Sequence, residues 1–245
     1  MKGVSFQNGV EFKVSIDGEV WSQGDVLRGR LDAVARNPGA QANLHVFLAD
    51  GSDKKIKQKA AGAFQILQKK SAASGPLDWS FELPTDARIL DKSGSLYIVY
   101  GGTETLETLG QLRLNIEPHP YIQDIYSLLN THYRFVFKNR IYAKGMVEGV
   151  FDPPQAKEWA ALEELVVQIK VNGKESIDSK FQFFRKVVDA TKGGLSAKVM
   201  KREIDQQWST AHVVHDFNNR VNKDQVILLV DKVIEEYRST GWLPG

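Results

Sequence analysis

The stretch Val10-Glu11-Phe12-Lys13-Val14-Ser15-Ile16 alternates apolar and polar side chains with a period of two. Successive side chains of an extended chain point to opposite faces, so Val10, Phe12, Val14 and Ile16 share one side. This is the pattern of a β-strand with one buried face. Downstream, Gln23-Gly24-Asp25 reads as a turn, because glycine reaches positive φ and aspartate bonds nearby backbone N–H groups. A second strand follows over 26–31. Further short apolar runs recur at 44–48, 64–67, 79–83, 96–100 and 109–116, punctuated by Pro84, Gly94, Gly101 and Gly102. About seven short strands separated by turns predict an antiparallel, immunoglobulin-like sandwich over residues 1–117.

The composition then changes at Glu117-Pro118-His119-Pro120. Two prolines fix φ and push the residues before them toward extended geometry, so Pro118, His119 and Pro120 read as a stiff interdomain joint. Residues 121–129 follow with Ile122, Ile125, Leu128 and Leu129 on one helical face. Strands resume at 133–141, 146–151, 162–171, 180–188 and 195–204, with a hairpin expected at Asn172-Gly173 and a turn at Gly193-Gly194. From about residue 222 to 240 a helix is expected. Asn222 stands as N-cap, Gln225 completes a capping box, and Val226, Leu229, Val230, Val233 and Tyr237 recur at helical spacing. Gly241 stands at the C′ position. Residues 118–245 are thus expected to form a second sandwich with a linker helix and a C-terminal helix.

The chain has 245 residues, enough for two cores of this size. It contains no cysteine, which excludes disulfides, thiolate metal sites and a cysteine nucleophile. A net charge of +2 argues against a dedicated nucleic-acid binder. The first residues lack the apolar core of a secretory signal, and no run approaches the ~20 residues of a membrane span. A cytoplasmic protein is expected.

Several segments, in order, resemble the arrestin-like superfamily. Trp21-Ser22-Gln23-Gly24-Asp25-Val26-Leu27-Arg28-Gly29 is similar to the aromatic–Gly-Asp–Gly pattern that opens many arrestin N-domains. Trp79-Ser80-Phe81-Glu82-Leu83-Pro84 resembles that family's Phe-x-Leu-Pro, and 96–100 continues the series. Within the superfamily, His119-Pro120-Tyr121-Ile122, Leu162-Glu163-Glu164-Leu165-Val166-Val167 and Glu203-Ile204-Asp205 resemble bacterial sporulation-control proteins. Val147-Glu148-Gly149-Val150-Phe151-Asp152-Pro153 is similar to a Gln-Glu-Phe-Glu-Phe-x-Pro segment there, with Gly149 and Val150 departing from it. The resemblance implies two tandem arrestin-like sandwiches. It also implies a non-catalytic bacterial adaptor or scaffold that regulates development, envelope or cell division through an unidentified protein partner.

Reactive chemistry is sparse. No nucleophile elbow, P-loop or dinucleotide fingerprint occurs. Glu163-Glu164 and Glu235-Glu236 are adjacent pairs whose side chains point apart. His212 and His215 would share a helical face but lack a third ligand, so no metal, cofactor or enzymatic activity is expected. Trp159 and Trp242 lie in irregular segments and are candidate exposed anchors. Lys54, Lys55, Lys57, Lys59, Lys69 and Lys70 fall in a 17-residue run without Asp or Glu. On one hairpin they would suit a protein partner or, more weakly, an anionic membrane surface; as a solvated strand edge they would merely favour solubility. A carbohydrate-active or carbohydrate-binding sandwich is the rival reading, and it needs an aromatic platform or facing carboxylates.

Overall fold

The computed structural model describes residues 1–36, 43–58, 60, 62–103, 105–191, 194–215 and 220–239. The chain divides into two compact units, Met1–Pro118 and His119–Gly245.

The first unit runs β1 (Lys2–Gln7), β2 (Val10–Ile16), β3 (Trp21–Ser22), β4 (Val26–Ala35), β5 (Leu44–Ser52), α1 (Asp53–Lys57), β6 (Phe64–Ala72), β7 (Leu77–Glu82), β8 (Gly94–Gly101), β9 (Gly110–Arg113) and β10 (Ile116–Glu117). Two four-stranded antiparallel sheets, β1-β2-β4-β7 and β6-β5-β8-β9, form the sandwich, and β3 pairs with β10 in parallel. Phe12, Val14, Ile16, Leu27, Leu31, Trp79 and Phe81 of one sheet meet Val46, Leu48, Leu96, Ile98 and Tyr100 of the other in the core. β5 and β8 are buried on both faces, which is why their sequences read as continuous apolar runs. Their outer face holds a second cluster of Phe47, Ala49, Tyr97, Val99 and Leu109, covered by Ile56 of α1, Phe64 and Leu106. In the Gly-Asp turn, Gly24 has φ +90°. The Asp25 carboxylate accepts a 2.7 Å bond from the Ser22 N–H. β1 precedes the first strand expected from patterning. It joins β2 through Asn8-Gly9, both at positive φ, the geometry of a tight hairpin.

The second unit runs α2 (Pro120–Thr131), β11 (Val136–Ala143), β12 (Met146–Asp152), β13 (Leu162–Asn172), β14 (Ser176–Thr191), β15 (Gly194–Ser209), α3 (Thr210–Val213), β16 (Val214–His215), β17 (Arg220–Val221) and α4 (Lys223–Ser239). β11 to β15 form one antiparallel meander in chain order. One face carries buried Val147, Phe151, Val167, Ile169, Phe181, Phe183, Ile204 and Trp208. The layer facing it comes from α2 and α4, through Ile122, Ile125, Tyr126 and Leu129 and through Val226, Val230, Val233 and Tyr237. The strands are spent on the meander, so the two amphipathic helices supply the apolar stripes that cover it. α4 therefore packs on its own unit. Its start is capped as expected, with the Gln225 N–H 3.4 Å from the Asn222 side-chain oxygen; Gly193 and Gly241 lie outside the described residues. The opposite face of the sheet carries ion pairs of Lys180 with Glu203 and Asp205 and of Lys138 with Asp152 and Glu164. Among the described residues no helix is long and apolar enough to cross a membrane.

Candidate binding surfaces

The predicted lysines lie along the β5–β6 hairpin. Lys54, Lys55 and Lys57 are exposed on α1, in the connection between the strands. Lys69 and Lys70 are exposed on β6, opposite Phe47 and Val46. Lys59 lies outside the described residues. From Phe64 to Lys69 the strand advances about 17 Å. Lys69 and Lys70 also point to opposite faces, and the Lys69 ammonium sits 5.7 Å from the Phe47 ring. The described lysines of the run thus fall into two groups along the hairpin. α1 is pinned beside them by Asp53, which accepts a 2.7 Å bond from the Tyr97 hydroxyl and pairs with Arg113 at 2.7 Å.

The joint residues start a helix. His119 is the N-cap of α2, its Nδ1 accepting from the Tyr121 N–H at 3.2 Å, and Pro120 occupies the first turn, where its missing N–H costs nothing. His212 sits in α3, but that helix ends at Val213, and His215 pairs with Arg220 on β16–β17. The shared helical face therefore never forms. No group of three His, Asp or Glu suited to a metal occurs among the described residues.

Trp159, expected as an exposed anchor, is buried at 5% exposure. It stacks on Tyr237 at 5.8 Å and meets Phe135 edge-on at 5.0 Å, because the irregular segment before β13 folds back onto α4. Trp242 lies outside the described residues. A cavity of about 330 Å³ is lined by Gln7, Asn8, Val10, Phe12, Asn43, Ala73 and Gly102. Its lining holds no carboxylate, and its aromatic ring, Phe12, is only 1% exposed.

Two apolar surfaces escaped the sequence reading. On the first unit, Val4, Phe6 and Val34 are exposed on one sheet face, in register around Glu11 and Lys13. The Arg36 guanidinium lies 5.6 Å from the Phe6 ring and bonds Glu11, holding that carboxyl below its usual range. On the second unit, β11 is the first strand of its sheet and exposes Val136 (56%), Phe137 (39%) and Ile141 (41%). The register shifts between Phe137 and Asn139, a bulge at an edge. Residues 134–144 contain Arg134, Lys138, Arg140 and Lys144 and no acid, a local charge signal as clear as the lysine run.

No family model matches the chain, and no curated protein matches it by sequence. A search of solved structures does find the fold. The crystal structure of Spo0M, a sporulation control protein from Bacillus subtilis, superposes with a TM-score of 0.63 at 9% identity. The match covers 94% of this chain and 100% of that one. The chain thus has an all-β, arrestin-like fold similar to that of Spo0M.

Proposed function

We propose that this chain is a non-catalytic adaptor that regulates by contact with a partner protein, in a bacterial cytoplasm, in the control of development, envelope or division. The observation that carries the reading is the exposed apolar strand β11 at the edge of a sheet, on a fold similar to that of a sporulation control protein. Edge strands with exposed apolar side chains are docking elements for protein segments. Affinity purification with crosslinking from the source organism tests it. One partner at fixed stoichiometry, with crosslinks from Lys138 or Lys144, is expected; recovery of the chain without a partner at low and high salt alike would contradict it.

A further inference from the structure

β11 is apolar on both of its faces and basic at both of its ends. It is the first strand of its sheet, so no further strand of the sheet lies along one side of it. Cross-strand partners share a face. Val136 pairs with Asp152 and Ile141 with Glu148, which places both on the face away from α2 and α4. Phe137 pairs with Phe151 and meets the Tyr126 ring at 6.1 Å, at the rim of the helix-covered face. Arg134, at φ +61°, stands just before the strand, and Lys144, at φ +52°, opens the turn into β12. Both are exposed, and neither forms an ion pair among the described residues.

The other cations of the strand are engaged already. Lys138 pairs with Asp152 at 3.0 Å and reaches Glu164 at 3.8 Å. Arg140 is half-buried, on the helix-covered face beside Gly149, and has interactions of its own. The nearby Glu148 carboxylate accepts a 2.6 Å bond from the Gln168 amide. The eight residues of β11 span about 26 Å. That is well beyond the screening length of ~8 Å at physiological salt, so Arg134 and Lys144 act as independent charges at the two ends.

We propose that β11 takes up an extended acidic segment of a partner protein, laid alongside the strand. Its carboxylates lie at Arg134 and Lys144, and its apolar side chains lie against Val136 and Ile141. Apolar groups on both faces of one strand suit a second extended chain beside it, whose own side chains alternate. A flat membrane surface meets only one of those faces. Charge disfavours a second copy of this chain: fully overlapped antiparallel strands would set Arg134 opposite Lys144 of the other copy, and like charges directly opposite destabilise. This inference rests on the adaptor reading and adds to it the chemistry of the partner.

Selection from a phage-displayed library of random peptides of about twelve residues, with the full chain as bait, tests it; that length spans the strand and both end cations. Enriched peptides are expected to combine alternating apolar residues with Asp or Glu toward both ends. In fluorescence anisotropy, the most enriched peptide should bind about fivefold more weakly to Arg134→Glu and to Lys144→Glu, with the two losses adding. Val136→Asp with Ile141→Asp should abolish saturable binding, and Lys55→Glu should leave it unchanged. All these positions are exposed, and circular dichroism melting confirms that each variant folds. Peptides that need Val136 and Ile141 but carry no acid overturn the acidic specificity and leave the adaptor reading standing. Equal binding by every variant overturns the site. No enriched peptide, or binding to phosphatidylglycerol vesicles in place of peptide, overturns the extended segment, and partner recovery by crosslinking then decides the adaptor reading separately.

Discussion

The ring of Tyr126 rests directly on Gly149, and its hydroxyl oxygen lies 2.9 Å from the Val147 carbonyl and 2.8 Å from the Val167 carbonyl. A Cβ at position 149 would stand 2.7 Å from the ring, so only glycine lets the helix residue sit on β12. Burial pushes the Tyr126 hydroxyl well above its usual pKa, so it stays protonated and donates. Gly149→Ala should cost about 1–3 kcal/mol by overpacking. Tyr126→Phe should cost about 1 kcal/mol, the value of the lost hydrogen bond. Urea unfolding checks both, and unchanged midpoints would contradict the contact.

Alkaline titration should single out Tyr97. Burial first, and then the bond to Asp53, push its hydroxyl up to about 12. Because the folded value is raised, this residue's contribution is intact below about pH 10 and is lost as pH climbs from there toward 12. Asp53→Asn removes the charge that opposes ionisation, so the ultraviolet phenolate transition of Tyr97 should move to lower pH. A Tyr97 that ionises at the usual value in both forms would contradict the assignment.

α4 should behave as an integral helix. Val230 and Val233 are 1% and 0% exposed, and truncating either to Ala should cost about 2 kcal/mol through lost burial and a residual cavity. Leu228, at 55% exposure on the opposite side, should tolerate Ser within about 0.5 kcal/mol. Equal sensitivity at the three positions in thermal unfolding would mean that the helix does not pack this way.

Trp159→Ala should destabilise the chain by about 3–5 kcal/mol, since it removes a buried ring packed between Phe135 and Tyr237. A surface anchor would lose next to nothing, so guanidinium unfolding separates the two roles.

Local patterning was informative wherever one face of an element is buried. Val10, Phe12, Val14 and Ile16 of β2, and Ile122, Ile125, Leu128 and Leu129 of α2, are all buried, as their spacing predicts. β1 was illegible because its apolar residues Val4 and Phe6 face outward, so alternation gives no clue to burial. Trp159 was misread because its partners Phe135 and Tyr237 are distant in sequence. The lysine run, in contrast, is contiguous in sequence, but β6 extends away from α1 and carries Lys69 and Lys70 along the hairpin from Lys54, Lys55 and Lys57.

The central claim, regulation by protein contact at β11, is tested most directly by a variant of its exposed edge. Val136→Asp with Ile141→Asp changes two exposed side chains and should leave the melting temperature within a few degrees, as surface substitutions do. Quantitative crosslinking purification from the source organism should then show partner recovery falling about tenfold relative to the parent chain, as the loss of two docked apolar residues would give. Undiminished recovery of the same partner by a folded variant would contradict the account.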